Sequence, residues 1–315
     1  MYLNSHTYFS LRYGTIKPEQ LLAIASENKM QTLALTDINN TSACLEFVRL
    51  SSKYNIKPVL GVDFRNSTQQ QFVLIAKNNN GFFNINKYLS IFLHDPSMKI
   101  PEKAPHLEDV FVIYPYIHQK IYTLKSNEFI GIKPQDLNQL KFSKWNTYRH
   151  KLVVLQTVSF QNKKGFNIHR LLRAIDNNTL LSKLPKSEQG QETDILLPYN
   201  QLKNVYQEFP ELLKNTMSIL KRCNIDFEAP KHASNNQKSY TNNESLDFRL
   251  LKSLTYQGLH YRYKKPGERI FKRIKKELTI IREKGFVTYF LINWKILKYA
   301  RSQGYFYIGR GSGAN

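Results

Sequence analysis

The stretch Thr32-Leu-Ala-Leu-Thr-Asp-Ile-Asn-Asn40 contains the pattern that decides the fold, a β-rich apolar run followed at once by a polar turn. Asn40-Thr41 offers an N-cap for a helix, and the next β-rich run, Val59–Phe64, follows that helix. The same alternation of strand and helix patterns continues through the N-terminal part of the chain. It predicts an α/β fold built from βα units around a mostly parallel sheet or barrel.

Several other segments fit this alternation. Further β-rich runs lie at Phe72–Ala76, Val110–Tyr114 and Leu152–Phe160. Helical patterns lie near residues 18–28, 41–54, 81–93, 169–183 and 199–223. The first of these helices starts at Lys17-Pro18-Glu19, with proline in its first turn. Residues 95–150 carry no motif that we can place.

A change of composition predicts the domain boundary. Residues 231–245 are crowded with Asn, Ser and Lys and lack apolar periodicity. We expect a linker there between domains of residues 1–230 and 246–315. Helical patterns at 246–259 and 266–282 indicate that the second domain is mostly helical. One face of its second helix carries Ile270, Ile274, Leu278 and Ile281.

The C-terminal segment is rich in glycine. A helix is expected from Thr288 to Arg301, with Phe290, Trp294 and Leu297 on one face and Gly304 placed to end it. A short strand, Tyr305 to Ile308, should lead into Gly309-Arg-Gly-Ser-Gly-Ala-Asn315. Glycines let a backbone approach a ligand closely, and successive N–H groups can hold phosphate oxygens. Such a loop suits a triphosphate.

The charge balance indicates a polyanionic partner. The 315 residues include 46 Lys and Arg against 24 Asp and Glu, a formal net charge of +22, which favours nucleic acid. Residues 262–284 hold ten Lys or Arg against three Glu, interleaved with aromatic residues. We expect contact with a phosphate backbone there rather than a merely solvated face. The densest patch is Lys272, Arg273, Lys275 and Lys276.

Other classes of protein are disfavoured. Cys44 and Cys223 are the only cysteines, so there is no disulfide framework or zinc spacing, and a reducing cytoplasm is expected. The first 20 residues do not resemble an export signal, and no apolar run reaches about 18 residues, so we expect no membrane association. Gly-x-Ser-x-Gly and Walker motifs are missing, which argues against serine hydrolase and P-loop NTPase readings.

Motifs at both ends resemble one family. Glu283-Lys-Gly-Phe-Val-Thr-Tyr-Phe-Leu-Ile-Asn-Trp294 and Ile308-Gly-Arg-Gly-Ser-Gly-Ala314 resemble the palm entry of the C-family bacterial polymerases, the DNA polymerase III alpha subunits. His6-Thr-Tyr-Phe-Ser-Leu-Arg-Tyr-Gly14, residues 33–40 and residues 56–63 resemble motifs of the polymerase-and-histidinol-phosphatase (PHP) domain that opens those polymerases. The resemblance implies a PHP-type distorted (β/α) barrel followed by the mostly helical start of a palm domain.

The resemblance also implies an activity. The chain would be the N-terminal fragment of a DNA-directed DNA polymerase that adds nucleotides to a primer 3′-hydroxyl. Its catalytic aspartates, which hold Mg²⁺, are expected after Asn315, so the fragment alone should be inactive. Implied partners are primer-template DNA, deoxynucleoside triphosphates, a proofreading exonuclease subunit and other replisome subunits. The triphosphate would be held by Gly309, Arg310, Gly311 and Ser312.

Metal-bearing PHP domains hold two or three ions with His, Asp and Glu at the strand ends. This sequence keeps three such positions, His6, Asp37 and Asp63. Other residues occupy the positions where ligands are expected, namely Asn4, Tyr13, Ile38, Gln71 and Ser159. We therefore predict a barrel that holds no metal and has a structural role. His169, expected to open a helix, should serve in packing or capping.

Two alternative functions stay open. In one, the barrel is a metal-dependent phosphoesterase or 3′–5′ exonuclease, which metal analysis would decide. In the other, the barrel is a non-catalytic module that docks a proofreading subunit, which a pull-down would test.

Overall fold

Short strands alternate with helices through the N-terminal part of the chain, as the sequence pattern predicts. The structure, a computed structural model, describes residues 1–95, 97–116, 123–227 and 239–309. The chain divides into two compact units, Met1–Phe227 and Glu228–Asn315. The first unit contains the α/β fold and the second is helical.

The described strands of the first unit curl into a distorted barrel. They are β1 Asn4–Ser5, β2 Thr32–Leu35, β3 Lys57–Asn66, β4 Gln69–Ala76, β5 Val110–Pro115, β6 Glu128–Ile132, β7 Leu152–Val154 and β8 Thr157–Val158. Six form one sheet in the order β2-β3-β4-β5-β6-β7, and β1 pairs with β8. The N–H groups of Ala34 and Thr36 donate to the carbonyls of Tyr2 and Ser5, so β1 also lies against β2. The predicted α/β barrel class is confirmed.

The sheet is mixed. The pairs β1–β8, β2–β3, β5–β6 and β6–β7 are parallel, whereas β3–β4 and β4–β5 are antiparallel. A short turn joins β3 to β4, because β3 ends at Asn66 and β4 begins at Gln69. The helices of this unit are α1 Pro18–Glu27, α2 Cys44–Ser51, α3 Asn79–His94, α4 Leu137–Lys141, α5 Lys163–Asp176, α6 Tyr199–Val205 and α7 Pro210–Lys221.

Both faces of the strands are buried, which explains why their sequences are continuous apolar runs. In β2, Leu33 and Leu35 pack in one apolar cluster and Ala34 in another. In β5, Val112 packs in the same cluster as Leu33, and Phe111 packs in the same cluster as Ala34. Each fully buried aliphatic or aromatic side chain contributes roughly 1.5–3 kcal/mol to the free energy of unfolding. The alternation of these two clusters therefore fixes the register of the barrel.

Three predicted boundaries in this unit were wrong. The run Leu152–Phe160 forms two short strands, β7 and β8, rather than one. The helix expected near 169–183 begins at Lys163, because the Asn162 side chain accepts the Gly165 N–H and caps it, so His169 lies inside the helix. The helical stretch 199–223 contains α6 and α7 separately, since proline begins α7.

The second unit contains three described helices, α8 Glu244–Arg262, α9 Glu268–Glu283 and α10 Val287–Ser302. Leu251, Leu278 and Leu291 form its buried core, one from each helix. Glycines with φ of 70° follow α9 and α10, and the second of them, Gly304, ends α10 as predicted. Asp247 ties the segment before α8 to the helix, because its carboxylate accepts hydrogen bonds from Ser239, Tyr240 and Thr241.

Two predictions for this unit were wrong. The buried residues of α10 are Thr288 and Leu291, whereas Phe290 is 44% exposed. Tyr305 to Ile308 form no strand, and Phe306 and Ile308 are exposed to solvent. A strand needs a neighbouring strand to satisfy its backbone, and among the residues described here this segment has none. No helix in the described ranges is both long and apolar enough to cross a membrane.

Candidate functional site

A polar cleft of about 620 Å³ opens at the end of the barrel where the parallel strands β5 and β6 finish. The carboxyl ends of barrel strands are the usual place for the functional groups of α/β barrels. The side chains that matter most for its chemistry are Tyr13, Arg65, Lys133, Gln156 and Asp194.

His6 is buried directly after β1 and is surrounded by side-chain partners. Its Nδ1 lies 2.9 Å from Ser159 Oγ, and its Nε2 lies 3.0 Å from both Asn4 Oδ1 and Asp63 Oδ2. An amide oxygen and a carboxylate oxygen can only accept, so Nε2 carries the hydrogen. A histidine binds metal through an unprotonated nitrogen, and Nε2 is therefore not available as a ligand in this arrangement.

Asp63 is fully buried and forms an ion pair within its own strand. Arg65 donates to Asp63 Oδ2 from Nε at 2.9 Å and from Nη2 at 2.7 Å. Burial alone would raise the pKa of Asp63, but the charge of Arg65 and the contact with His6 hold that pKa below its usual value. Residues 63 and 65 point to the same side because side chains alternate along a strand. One carboxylate oxygen of Asp63 is thus already occupied by three donors.

Asp37 lies apart from this group as an anchor for the loop that follows β1. Its carboxylate accepts hydrogen bonds from Thr7 N at 2.6 Å, from Thr7 Oγ1 at 2.7 Å and from Ser10 Oγ at 2.7 Å. Burial raises the pKa of Asp37, although these bonds oppose the shift. The structure therefore brings His6 and Asp63 together and places Asp37 in a different hydrogen-bond network.

The positions where ligands were expected have other roles. Ser159 contacts the His6 ring, and the Gln71 amide donates to the carbonyl of Gln69. Ile38 pairs with Asp63 through a backbone bridge. The Tyr13 ring packs over the Arg65 guanidinium, whose carbon lies 5.0 Å from the ring centroid. This position thus covers the ion pair instead of supplying a ligand.

These residues do not fit the metal cluster of the fold family. No group of three or more His, Cys, Asp or Glu side chains in the described ranges could hold a metal ion. The two retained positions that do meet are His6 and Asp63. His6 Nε2 faces Asp63 Oδ2, and the same Asp63 oxygen accepts a hydrogen bond from Arg65. No chemical step through a bound metal follows from this geometry.

His169 is a buried, neutral histidine beside the cleft. Its Nδ1–H donates to the carbonyl of Tyr13 at 2.7 Å, and its Nε2 accepts from Gly190 N–H at 2.9 Å. Burial lowers its pKa to about 4, and the nearby cations Arg173 and Arg65 act in the same direction. The side chain joins α5 to the loops on either side, which is a packing role.

Of the five cleft side chains named above, the sequence analysis missed three, Arg65, Lys133 and Asp194. Burial lowers the pKa of the Lys133 amine, and the charge of Arg65 adds to this effect. Burial likewise raises the pKa of Asp194, whose carboxylate accepts the Gln191 N–H. Lys133 directly follows β6 and could have been found only once that strand was recognised.

The predicted nucleic-acid residues lie in the second unit. Lys272, Arg273, Lys275 and Lys276 are all exposed on α9. Two of them form ion pairs within the helix, Lys272 with Glu268 at 2.7 Å and Arg273 with Glu277 at 2.6 Å.

Gly309 is exposed, with open space around its α-carbon. Arg310, Gly311 and Ser312 lie outside the described residues.

The barrel and its altered cleft define a class of protein. Residues 3–232 match the PHP domain family, and residues 249–315 match the family described as bacterial DNA polymerase III alpha NTPase domain. The chain therefore belongs to the PHP family. The order of the two matches is that of the N-terminal region of DNA polymerase III alpha subunits.

Curated relatives agree with this order. An error-prone DNA polymerase of Symbiobacterium thermophilum is 26% identical over the whole chain, which covers 33% of that relative. DNA polymerase III subunits alpha of Ureaplasma parvum and Streptococcus pyogenes are 26% and 27% identical over 99% of this chain, covering 30% and 29% of their lengths. The chain thus spans about a third of these relatives.

Proposed function

We propose that this chain is the N-terminal region of a bacterial DNA polymerase that extends a primer on a DNA template. The observation that carries the proposal is the succession of a PHP barrel and a polymerase III alpha match in one chain. In this proposal, aspartates beyond Asn315 hold Mg²⁺, which stabilises the attacking and leaving oxygens of nucleotidyl transfer. The remaining two thirds of the relatives' length would supply those groups.

Within the chain, we propose domains of residues 1–230 and 246–315 joined by a linker at 231–245. The division into units between Phe227 and Glu228 supports this arrangement. Much of the proposed linker, residues 231–238, lies outside the described residues. We place the protein in the cytoplasm, in keeping with its proposed substrates and partners.

The proposed contact with DNA is the exposed basic face of α9. All four basic side chains are exposed, whereas Ile274 is partly buried and Leu278 is buried. Lys275 and Lys276 form no ion pair among the described residues, so their charges are free to meet phosphates. Tyr261, 86% exposed, lies in the last turn of α8, and Tyr263, 48% exposed, directly follows that helix; both offer rings for base stacking. Nonspecific binding to the DNA backbone is the expected mode.

For the triphosphate, we propose Gly309, Arg310, Gly311 and Ser312. These residues fall within the match to the polymerase III alpha family. Backbone N–H groups of a glycine-rich segment suit phosphate oxygens, and Arg310 adds a positive charge. Gly309 is the one residue of this group that is described, and the exposure of Gly309 leaves room for a ligand.

In this proposal the first unit serves as a scaffold. Its surface is the candidate docking site for a proofreading exonuclease subunit and other replisome subunits. Support for a non-catalytic role comes from the cleft, where Arg65 is bonded to Asp63.

Primer extension tests the polymerase proposal. We expect the 315-residue chain to incorporate no nucleotide, and the same chain continued to the length of its relatives to extend a primed template. In the longer protein, Ser312→Ala should raise the KM for nucleotides several-fold, because one donor to the triphosphate is lost. Ser302→Ala, in the last turn of α10, is the matched control and should leave that KM unchanged. Extension by the 315-residue chain alone would contradict the proposal.

Elemental analysis tests the phosphoesterase alternative. We expect less than about 0.1 Zn or Mn per chain after dialysis, and no hydrolysis of p-nitrophenyl phosphate or of single-stranded DNA ends. The reason is that the retained positions bond to protein groups. One metal ion or more per chain, together with hydrolysis that His6→Ala abolishes, would establish the alternative instead.

A further inference from the structure

We propose that Arg65 takes the place of a metal ion in this barrel, as a built-in cation that balances the buried charge of Asp63. The inference concerns the first unit alone and refines the scaffold role given to it under the proposed function. It assigns a role to a residue that neither the sequence motifs nor the comparisons single out.

The position of the guanidinium carries the proposal. Asp63 is fully buried, and Arg65 is 5% exposed. Both Nε and Nη2 of Arg65 donate to one oxygen of Asp63, the same oxygen that lies 3.0 Å from His6 Nε2. His6 Nε2–H and the Arg65 guanidinium thus donate to one shared acceptor, Asp63 Oδ2. The positive charge beside this carboxylate is a side chain of the protein and is covalently part of the chain.

The side chain of Asn39, two residues after Asp37, holds the backbone of Arg65 in place. The Asn39 side chain accepts from Arg65 N at 3.0 Å and donates to Arg65 O at 2.8 Å. Asn39 itself has a φ of 46°, a conformation that asparagine tolerates better than most residues. The N–H and carbonyl of Asp63, two residues earlier in β3, pair on this same side, with the carbonyl of Asp37 and the N–H of Asn39.

A buried carboxylate needs such a partner. An isolated charge in a protein interior is strongly unfavourable, and removing one member of a buried pair leaves the other uncompensated. The net charge of the chain cannot replace Arg65, because the surface lysines are screened by solvent. The other contact of Asp63 Oδ2, His6, supplies a hydrogen bond, while Asp63 Oδ1 has no hydrogen-bond partner among the described residues. The neighbouring side chain that is always positively charged is thus Arg65.

A double-mutant cycle on the 315-residue chain tests the proposal. The variants are Arg65→Met, Asp63→Asn and the two combined, all in a Trp294→Phe background. In that background the only tryptophan is Trp145, which is 4% exposed, so its fluorescence reports unfolding of the first unit. We expect Arg65→Met to lower Tm by about 10 °C, and the double variant to recover most of this loss because it buries no unpaired charge.

An exposed ion pair provides the matched control. Arg12→Met breaks the pair of Arg12 with Asp176, in which the Arg12 side chain is 59% exposed, and should lower Tm by no more than about 3 °C. If Arg65→Met does not fold, a folded double variant supports the proposal. The proposal is overturned if the double variant is as unstable as Arg65→Met or does not fold. It is also overturned if ZnCl₂ or MnCl₂ raises the Tm of the unaltered chain and Asp63→Asn abolishes that rise.

The outcome is separable from that of the polymerase proposal. Primer extension by the longer protein does not depend on which cation balances Asp63. A failed cycle with intact primer extension would therefore refute only the role of Arg65.

Discussion

Reversing Lys272, Arg273, Lys275 and Lys276 to glutamate is expected to weaken the binding of primed DNA by about 100-fold or more at low salt. Each lysine or arginine that neutralises a phosphate releases counterions, and the affinity falls with salt by about one log unit per log unit of salt for each contact. Loss of up to four contacts should reduce that slope by up to about four. Glutamates at the same positions add repulsion.

The effect should be independent of DNA sequence, because phosphate contacts carry no base information. The measurement is fluorescence anisotropy with two primed templates of unrelated sequence, at several salt concentrations. The apolar face of α9 is unchanged, since Ile274 and Leu278 point to the core of the unit. Circular dichroism should therefore show unaltered helix content.

A matched variant separates this surface from total charge. Lys164, Lys183, Lys203 and Lys214 are exposed lysines of the first unit. Changing these four to glutamate alters the net charge by the same amount, and we expect at most a several-fold loss of affinity. If both variants lose affinity equally, binding depends on overall charge and α9 is not the interface. If the α9 variant binds as tightly as the unaltered chain, its basic face is only solvated.

The barrel was predictable because its strands are buried on both faces. Runs such as Val59–Phe64 and Phe72–Ala76 are apolar without interruption, and polar segments separate them. Strand β6 escaped prediction because Glu128 and Gly131 interrupt its apolar pattern. The Glu128 carboxylate accepts the Lys125 N–H at 2.8 Å, which offsets its burial. A Cβ on Gly131 would lie 2.6 Å from Leu155 Cδ2, so close packing requires glycine there.

The residue types at the altered metal positions are visible in the sequence, since Ile38 cannot bind a metal and an amide such as Asn4 is a weak ligand. The pairing of Asp63 with Arg65 could not be predicted in this way. Asp63 and Arg65 are two residues apart, a spacing that brings side chains together only if the segment is a strand. The cover provided by Tyr13 depends on the loop anchored by Asp37. The one available signal was an acid and a base on alternate positions of an otherwise apolar run.

The second unit shows the limit of periodicity. Helix α10 has apolar or aromatic residues around most of its circumference, so the sequence does not decide which face is buried. The sequence pattern predicts a face of Phe290, Trp294 and Leu297, but contacts with α8 and α9 bury Leu291 instead. Only the packing of the three helices distinguishes these faces.

The second large effect is a loss of stability in acid that depends on His169. The pKa of His169 is about 4 in the folded chain, compared with an ordinary value of 6.5. Between these two values the unfolded chain binds a proton that the folded chain does not. The stabilisation from neutral His169 is therefore fully present above pH 6.5 and is lost as the pH falls towards 4. At pH 5 the loss should be about 2 kcal/mol, or roughly 4–8 °C in Tm.

The variant His169→Gln should remove this acid-dependent loss, because glutamine does not titrate yet can donate to the Tyr13 carbonyl and accept from Gly190 N–H. Its Tm at pH 7.5 should be lower than that of the unaltered chain, since glutamine fills the site less well. The informative quantity is the further fall in Tm between pH 7.5 and pH 5, followed by Trp145 fluorescence in the Trp294→Phe background.

Buried acids such as Asp37 and Asp194 titrate in both proteins and cancel in the comparison. His106→Gln, at an exposed histidine, should keep the full acid-dependent fall. Equal falls in the His169→Gln variant and the unaltered chain would mean that His169 accepts a proton in the folded barrel as readily as in the unfolded chain.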